Sequence, residues 1–430
     1  MSNVRKFFNS DYYIAIIFII NVICWVLRMQ LVMMGLSALM AIVIILLNIN
    51  RTKMVTLFLA NIINYRSIML KDNVIIMVIF AAILAPVIFY DLFHKKLNFR
   101  NPILIALLIF LGSNLLSLLN TNKDNFYLGI IGICQVLFYI IVFTYYYNKK
   151  EKEEFSFMAK NACVMGVAIA VQLLIHFLKF YLLSQGAIDK GNINLGWGIS
   201  NFIAMTVTVL VPLTFYLYIE NQKRKHIILI VIVELGVIFL TFSKGAFLAL
   251  GIIFIPFIIM AYRYAPNKKV ILVDGFFCLV LAIAGLLVIS QIDTIWNGFI
   301  AYFKDMDKRG WFNDQTRMTL YKVGIEQFKL HPLFGAGSYT CQYYLDHNIN
   351  YHNYIVQTLA TLGLVGLATF AYLLYTMIKK TLVDHYFNIA LLFIIILMAI
   401  HGLVDTTLYN PLIMLMIFIY LPFLKEKEKV

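Results

Sequence analysis

The chain has 430 residues, of which 62% are hydrophobic and only 13% charged, with a mean hydropathy of +0.86. That leaves too little polar surface to solvate a globule of this length, which excludes a water-soluble enzyme and makes an integral membrane protein the expectation. The net charge of +14 is a topology signal and not a nucleic-acid signal, because its basic clusters recur in short breaks between apolar runs, where anionic lipid is at hand.

Read in chain order with a window of about 19 residues, apolar runs cover 12–27, 31–49, 54–70, 74–90, 103–119, 126–147 and 161–183. They continue over 201–219, 227–242, 246–262, 270–289, 354–378, 386–404 and 411–424. The expectation is a single all-α membrane domain over 1–430, a polytopic helical bundle of about fourteen spans. The first run lacks a small-residue cleavage site and is followed at once by another, so no cleavable leader is expected. The run 54–70 is the weakest, since it holds Asn61, Asn64 and Arg66. If it crosses, Arg5/Lys6, Arg51/Lys53, Lys95/Lys96/Arg100, Lys149/Lys150/Lys152, Lys223/Arg224/Lys225, Arg263/Lys268/Lys269, Lys379/Lys380 and the KEKEK tail share one side. Positive-inside bias makes that side cytoplasmic, with both termini. Five cysteines, at 24, 134, 163, 278 and 341, show no paired or metal-type spacing; four lie in apolar runs and read as small core residues, with Cys341 the exposed one.

One connection is long, from 290 to 353, and the topology places it outside the cytoplasm. Its charges balance: Lys304, Lys308, Arg309, Arg317, Lys322 and Lys329 against Asp293, Asp305, Asp307, Asp314, Glu326 and Asp346. Met318, Tyr321, Ile325 and Phe328 recur at helical spacing, which predicts an amphipathic helix along the outer membrane surface. HPLFGAGS then supplies a proline stop and a glycine turn. The DMD triplet at 305–307 looks like the aspartate pair with which sugar-nucleotide transferases hold a metal, but it faces away from the compartment where nucleotide sugars are made. Gly196/Gly198 and Gly335/Gly337 are not followed by a strand-to-helix unit and carry no dinucleotide meaning.

A few polar residues stand out against this background. Arg317 starts the amphipathic helix, where a cation gains nothing from the dipole; it is either a solvated arginine or an anion clamp. Lys244, in TFSKGAFLAL, occupies a tight outer break that positive-inside bias disfavours, so it either snorkels or binds phosphate. His352 and Asn353 head the run 354–378, as an interfacial histidine beside a helix cap or as chemistry. Gln357 lies four residues after Asn353, which makes an outward polar ledge of His, Asn and Gln available. Glu234 and Asp405 are carboxylates within or at the edge of spans, functional candidates unless paired with a polar neighbour.

Four stretches resemble, in order, the O-antigen ligase and O-antigen polymerase superfamily of bacterial envelope glycan enzymes. They are GWGISNFIA (196–204), ending its glycine-rich part at Asn201; TFSKGAFLAL (241–250); TRMTLYKVGIEQFKLHPLFGAGS (316–338) with HNYIVQTLATLGLVG (352–366); and HGLVDTTLYNPL (401–412). The resemblance covers 190–420, and the long loop followed by His-Asn and Gln is its most specific part. Lys244 departs from the arginine usual in the family, keeping the charge but losing the bidentate fork.

The resemblance implies a bundle of the type-C glycosyltransferase kind in the bacterial cytoplasmic membrane, acting at its outer face. The implied donor is an undecaprenyl-pyrophosphate-linked oligosaccharide, with membrane lipid around it and a flippase and chain-length regulator as partners. Lys244 and Arg317 would stabilise the leaving pyrophosphate, and His352 would take the acceptor's proton, oriented by Asn353 or Asp405. Asn201, Gln357 and Glu234 are supporting polar residues. No cofactor is implied, because the donor arrives activated, and direct displacement would invert the anomeric centre. A polymerase, joining one lipid-linked repeat unit to another, is favoured over a ligase delivering the glycan to lipid A core. A lipid-linked oligosaccharide flippase is a third reading, disfavoured because the charged candidates lie at the outer face and no internal repeat is evident.

Overall fold

A computed structural model describes residues 2–64, 85–94, 98–149, 154–184, 188, 190–293, 295–298, 300–301, 304, 315–339, 350–406 and 409–426. The DMD triplet, Cys341, residues 65–70 of the weakest run and 74–84 of the next lie outside the described residues. The protein is an all-α polytopic membrane protein. Among the described residues, seven helices are long and apolar enough to cross a membrane, and five shorter apolar helices accompany them.

In chain order the apolar helices are α1 (Asp11–Val26), α2 (Gln30–Leu46), α3 (Met54–Ile62), α4 (Pro102–Ser117), α5 (Phe126–Lys149), α6 (Phe155–Ser184) and α7 (Ser200–Glu220). Then follow α8 (His226–Leu240), α9 (Lys244–Tyr264), α10 (Lys268–Ser290), the loop helix α11 (Gln315–Leu330), α12 (Tyr354–Thr381), α13 (Tyr386–Gly402) and α14 (Pro411–Tyr420). Their starts follow local chemistry. Asn101 and Asn410 each precede a proline at the first helical position, and each side chain accepts from a backbone N–H that the helix cannot use. Ser243 and Asn353 cap α9 and α12 in the same way.

The chain divides into two compact units, residues 1–97 with 148–304 and residues 98–147 with 305–430. In the first, α7 is the central post. It is almost wholly buried, whereas α10 is almost wholly uncovered, as a lipid-facing helix can be when its backbone is satisfied internally. Thr206 and Thr208 on α7 donate back to the carbonyls of Phe202 and Ala204, which removes two hydroxyls from an otherwise apolar interior. Glu234 on α8 is fully buried and accepts from Thr214 Oγ1 at 2.8 Å. Gly166 makes room for it, since a Cβ there would sit 2.1 Å from Glu234 Oε1. Cys24 and Cys163 are buried as expected, but Cys134 is exposed and Cys278 half-buried, because hydropathy alone does not say which face of a membrane helix meets protein and which meets lipid.

In the second unit, α12 is the centre, packed by α4, α11 and α13. It is broken at Gly363 (φ 69°, ψ −164°). The HPLFGAGS turn is spliced into that break. Ala336 and Gly337 donate to the carbonyls of Ala360 and Thr361, at 3.0 and 2.9 Å, and Leu364 and Val365 donate to those of Pro332 and Leu333, at 2.9 and 3.1 Å. An interrupted membrane helix needs such partners, because no water is present to satisfy its freed backbone groups.

Helix α11 forms where its apolar spacing put it, and beside the predicted membrane-facing stripe of Met318, Tyr321, Ile325 and Phe328 it has a second face packed on protein. Met318 and Ile325 are exposed, whereas Leu320 and Gly324 meet Tyr351 and Val356. Gly324 decides the orientation, because a Cβ there would lie 2.5 Å from Val356 Cγ1 and 3.1 Å from the Tyr351 ring. Replacing Gly324 by leucine is expected to cost roughly 1–3 kcal/mol through overpacking. The check is faster backbone hydrogen exchange across 315–330 in the variant.

Candidate active site

His352 lies just before α12, in the left-handed backbone region (φ 52°) that a histidine rarely adopts. Three elements hold it there. Asn353 Oδ1 accepts from the N–H groups of Ile355 and Val356 at 2.9 and 3.1 Å, capping α12, and its Nδ2 donates to Leu403 O at 2.9 Å, beyond the end of α13. Tyr321, on α11, donates its hydroxyl to His352 O at 3.3 Å. Gln357 Oε1 accepts from Tyr351 N at 3.1 Å. Gln357 is only 2% exposed, so the ledge of His, Asn and Gln does not form: the amide turns inward to the backbone before His352, where that N–H would otherwise be orphaned.

The imidazole itself is paired. His352 Nδ1 lies 3.0 Å from Asp405 Oδ1, and both side chains are partly buried. Asp405 also accepts from Thr406 N at 2.7 Å. Burial pushes the Asp405 carboxyl up, but the hydrogen bond and charge of His352, the charge of His401 and the Thr406 N–H outweigh it and hold the group well below the usual carboxylate range. With a carboxylate facing Nδ1, the neutral imidazole carries its proton there and leaves Nε2 as the open base.

The sign of the pH dependence follows. A depressed folded-state pKa adds stability that is fully present above the unfolded value, about 3.9 for aspartate, and is lost as pH falls through the folded value. Difference infrared spectra of wild type against Asp405→Asn are therefore expected to keep the Asp405 carboxylate band below about pH 4, where free aspartates have begun to titrate.

Arg317 sits one turn before Tyr321 on α11, on the same face of a helix that touches His352. In the first unit, the first and second resemblance motifs are joined. Ser243 Oγ donates to Asn201 Oδ1 at 3.0 Å, and Ser200 Oγ donates to Thr241 O at 2.5 Å. Beside them Lys244 opens α9, half-buried, so a lysine stands at the positive end of a 21-residue helix. Glu234 takes a different place, inside the first unit with Thr214. No local signal marks Ser243, the Leu403 carbonyl or the hydroxyl of Tyr321, a residue whose spacing placed it only in an apolar stripe, since each acts through a partner distant in sequence.

These motifs fall largely within one recognised domain. Residues 227–371 match the O-antigen ligase family model. The match bears out the resemblance to the O-antigen ligase/polymerase superfamily, and the matched segment contains Lys244, Arg317, His352 and Asn353, with Asp405 beyond its end. No curated protein matches the chain.

Proposed function

We propose that the protein is a glycosyltransferase of the polymerase type. It transfers a glycan from undecaprenyl pyrophosphate to another lipid-linked repeat unit at the outer face of the bacterial cytoplasmic membrane, with both termini cytoplasmic. The observation that carries the reading is the His352–Asp405 pair at 3.0 Å, its histidine inside the O-antigen ligase domain. His352 Nε2 takes the proton of the acceptor hydroxyl as that oxygen forms a bond to the anomeric carbon. The bond from that carbon to the pyrophosphate breaks, and its electron pair leaves with the phosphate oxygen. Lys244 and Arg317 supply positive charge to the leaving group, Lys244 as a point charge and Arg317 as a planar fork. Asn353 and Asp405 position the histidine, and displacement in one step inverts the anomeric centre.

A ligase, moving the glycan to lipid A core, is the second reading, favoured by the description of the matched family. Reconstitution with undecaprenyl-pyrophosphate repeat unit, alone and then with lipid A core, separates the two. Ladders from the repeat unit alone support the polymerase, and product formed only with the second acceptor supports the ligase. Absence of turnover with either, together with translocation of the lipid across vesicles, refutes both. Co-purification with a flippase or chain-length regulator would place it in a larger assembly.

A further inference from the structure

The turn between α7 and α8 and the turn between α9 and α10 are fastened side by side at one end of the first unit. Gln222 Nε2 donates to Asn267 O at 3.3 Å, and Asn267 N donates back to Gln222 Oε1 at 3.0 Å. Lys225 Nζ lies 2.7 and 2.6 Å from the two carboxylate oxygens of Asp274 on α10, and Tyr218 on α7 donates its hydroxyl to Asp274 Oδ2 at 2.5 Å. These bonds gather six cations: Lys223, Arg224 and Lys225 at the first turn, and Arg263, Lys268 and Lys269 at the second.

Two acids stand among them, and both are engaged. Asp274 is shared by Lys225 and Tyr218, and Glu220 accepts from Tyr216, one helical turn back. Lys223, Arg224, Lys268 and Lys269 are exposed, and none of the four has a carboxylate partner among the described residues. Neither α8 nor α10 carries an acid in its first turn, so the positive ends of both helices add to the field of the side chains. The chemistry complementary to this corner is an anion.

The surroundings decide what carries it. Of the 23 residues of α10 only Ile271 and Asp274 are buried, both within its first two turns, where it packs on α8. Beyond them Leu272, Phe276, Leu279, Ile283 and Leu287 recur at helical spacing on one face, and all five are more than half exposed. Lys268 and Lys269 precede Leu272 by four and three residues, so the cations head this apolar stripe. At 1.5 Å per residue the stripe runs for roughly 22 Å, longer than the roughly 15 Å half-thickness of a bilayer's hydrocarbon. Tyrosines mark the headgroup level beside it: Lys268 Nζ lies 5.2 Å from the ring centroid of Tyr262, and the Arg263 guanidinium 5.7 Å from that of Tyr264. A free phosphate or an acidic protein would meet the cations and leave the stripe unused. A phospholipid with a net negative headgroup meets both.

We infer that this corner of the first unit is a binding site for an anionic phospholipid. Lys223, Arg224, Lys268 and Lys269 hold its phosphate, and an acyl chain lies along the stripe from Leu272 to Leu287. The lipid thereby seats a helix that protein grips at one end only. The site stands independently of the transferase reading.

The test is native mass spectrometry of the full-length protein in detergent, titrated with phosphatidylglycerol and with phosphatidylcholine of the same acyl chains. The first phosphatidylglycerol is expected to bind more tightly than the first phosphatidylcholine. Removing the four cations together (Lys223→Gln, Arg224→Gln, Lys268→Gln and Lys269→Gln) is expected to weaken it by about 100-fold, and Lys269→Gln alone by about fivefold, the pull of one lysine near an anionic surface. A control that removes four cations elsewhere, Arg5→Gln, Lys6→Gln, Lys379→Gln and Lys380→Gln, is expected to keep the wild-type affinity. The single variant carries the test if the four-site variant does not fold. Equal binding of the two lipids by wild type, equal losses in the two four-site variants, wild-type affinity in Lys269→Gln, or displacement of phosphatidylglycerol by inorganic phosphate at equal concentration would overturn the site.

Discussion

Replacing His352 by alanine is expected to slow glycan transfer by about 100- to 10,000-fold, the range a positioned general base contributes, with little change in donor affinity, because in the proposed mechanism His352 meets the acceptor hydroxyl and not the pyrophosphate. Asp405→Asn is the sharper companion. It preserves the shape of the 3.0 Å contact, but an amide can present N–H to Nδ1, which moves the imidazole proton to Nε2 and blocks the base. A loss of the same order is expected from it. Both variants should give the wild-type gel-filtration profile, since the capping bonds of Asn353 remain. Near-normal polymer formation by folded His352→Ala would remove the base role outright.

The second large effect is on stability. Gly335 (φ 67°) has Thr361 C 2.2 Å from where a Cβ would lie, and Gly363 (φ 69°) has Leu333 O at 2.4 Å. Both contacts are to backbone, which cannot swing aside. Gly335→Val or Gly363→Ala therefore has to open the splice, and loses hydrogen bonds that hold a broken helix in a medium without water. The expected cost is roughly 3 kcal/mol or more, read as a lower thermal midpoint in detergent. Gly285→Ala is the control: nothing lies within 4 Å of its added Cβ, so it should be neutral or slightly stabilising as a helical glycine replaced by alanine.

The two effects are linked through α12. Its N-terminus carries His352 and its break at Gly363 receives the turn that follows α11, so the loop is fastened at both ends of one helical segment. Tyr321 adds a third tie, from α11 to the His352 carbonyl. A site residue held by a short, doubly anchored segment keeps its geometry without a large core around it.

Much of this was legible beforehand. The run 103–119 became Pro102–Ser117 and 126–147 became Phe126–Lys149, because long apolar stretches have few alternatives to helix in a bilayer. Asn353 as a cap could be read from a short polar side chain at the head of a span, and the glycine turn of HPLFGAGS from its own composition. The facing of α11 could not. Its apolar spacing identified a membrane-facing stripe of Met318, Tyr321, Ile325 and Phe328 but not the second face through Leu320 and Gly324, which packs on protein because a glycine allows the close approach to Tyr351 that a larger side chain would prevent.

By itself, then, the sequence determined that this is an all-helical membrane protein, where its helices start, and which family its motifs resemble, since hydropathy, capping and motif order are local properties of the chain. Only the tertiary structure decided that Asp405 pairs with His352, that Gln357 turns inward, that Asn201 meets Ser243 and that Asn114 and Gln135 wall a common cavity. Each of these pairings joins residues whose separation along the chain carries no period, and contact between them is set by helix packing and by where a glycine lets two backbones approach.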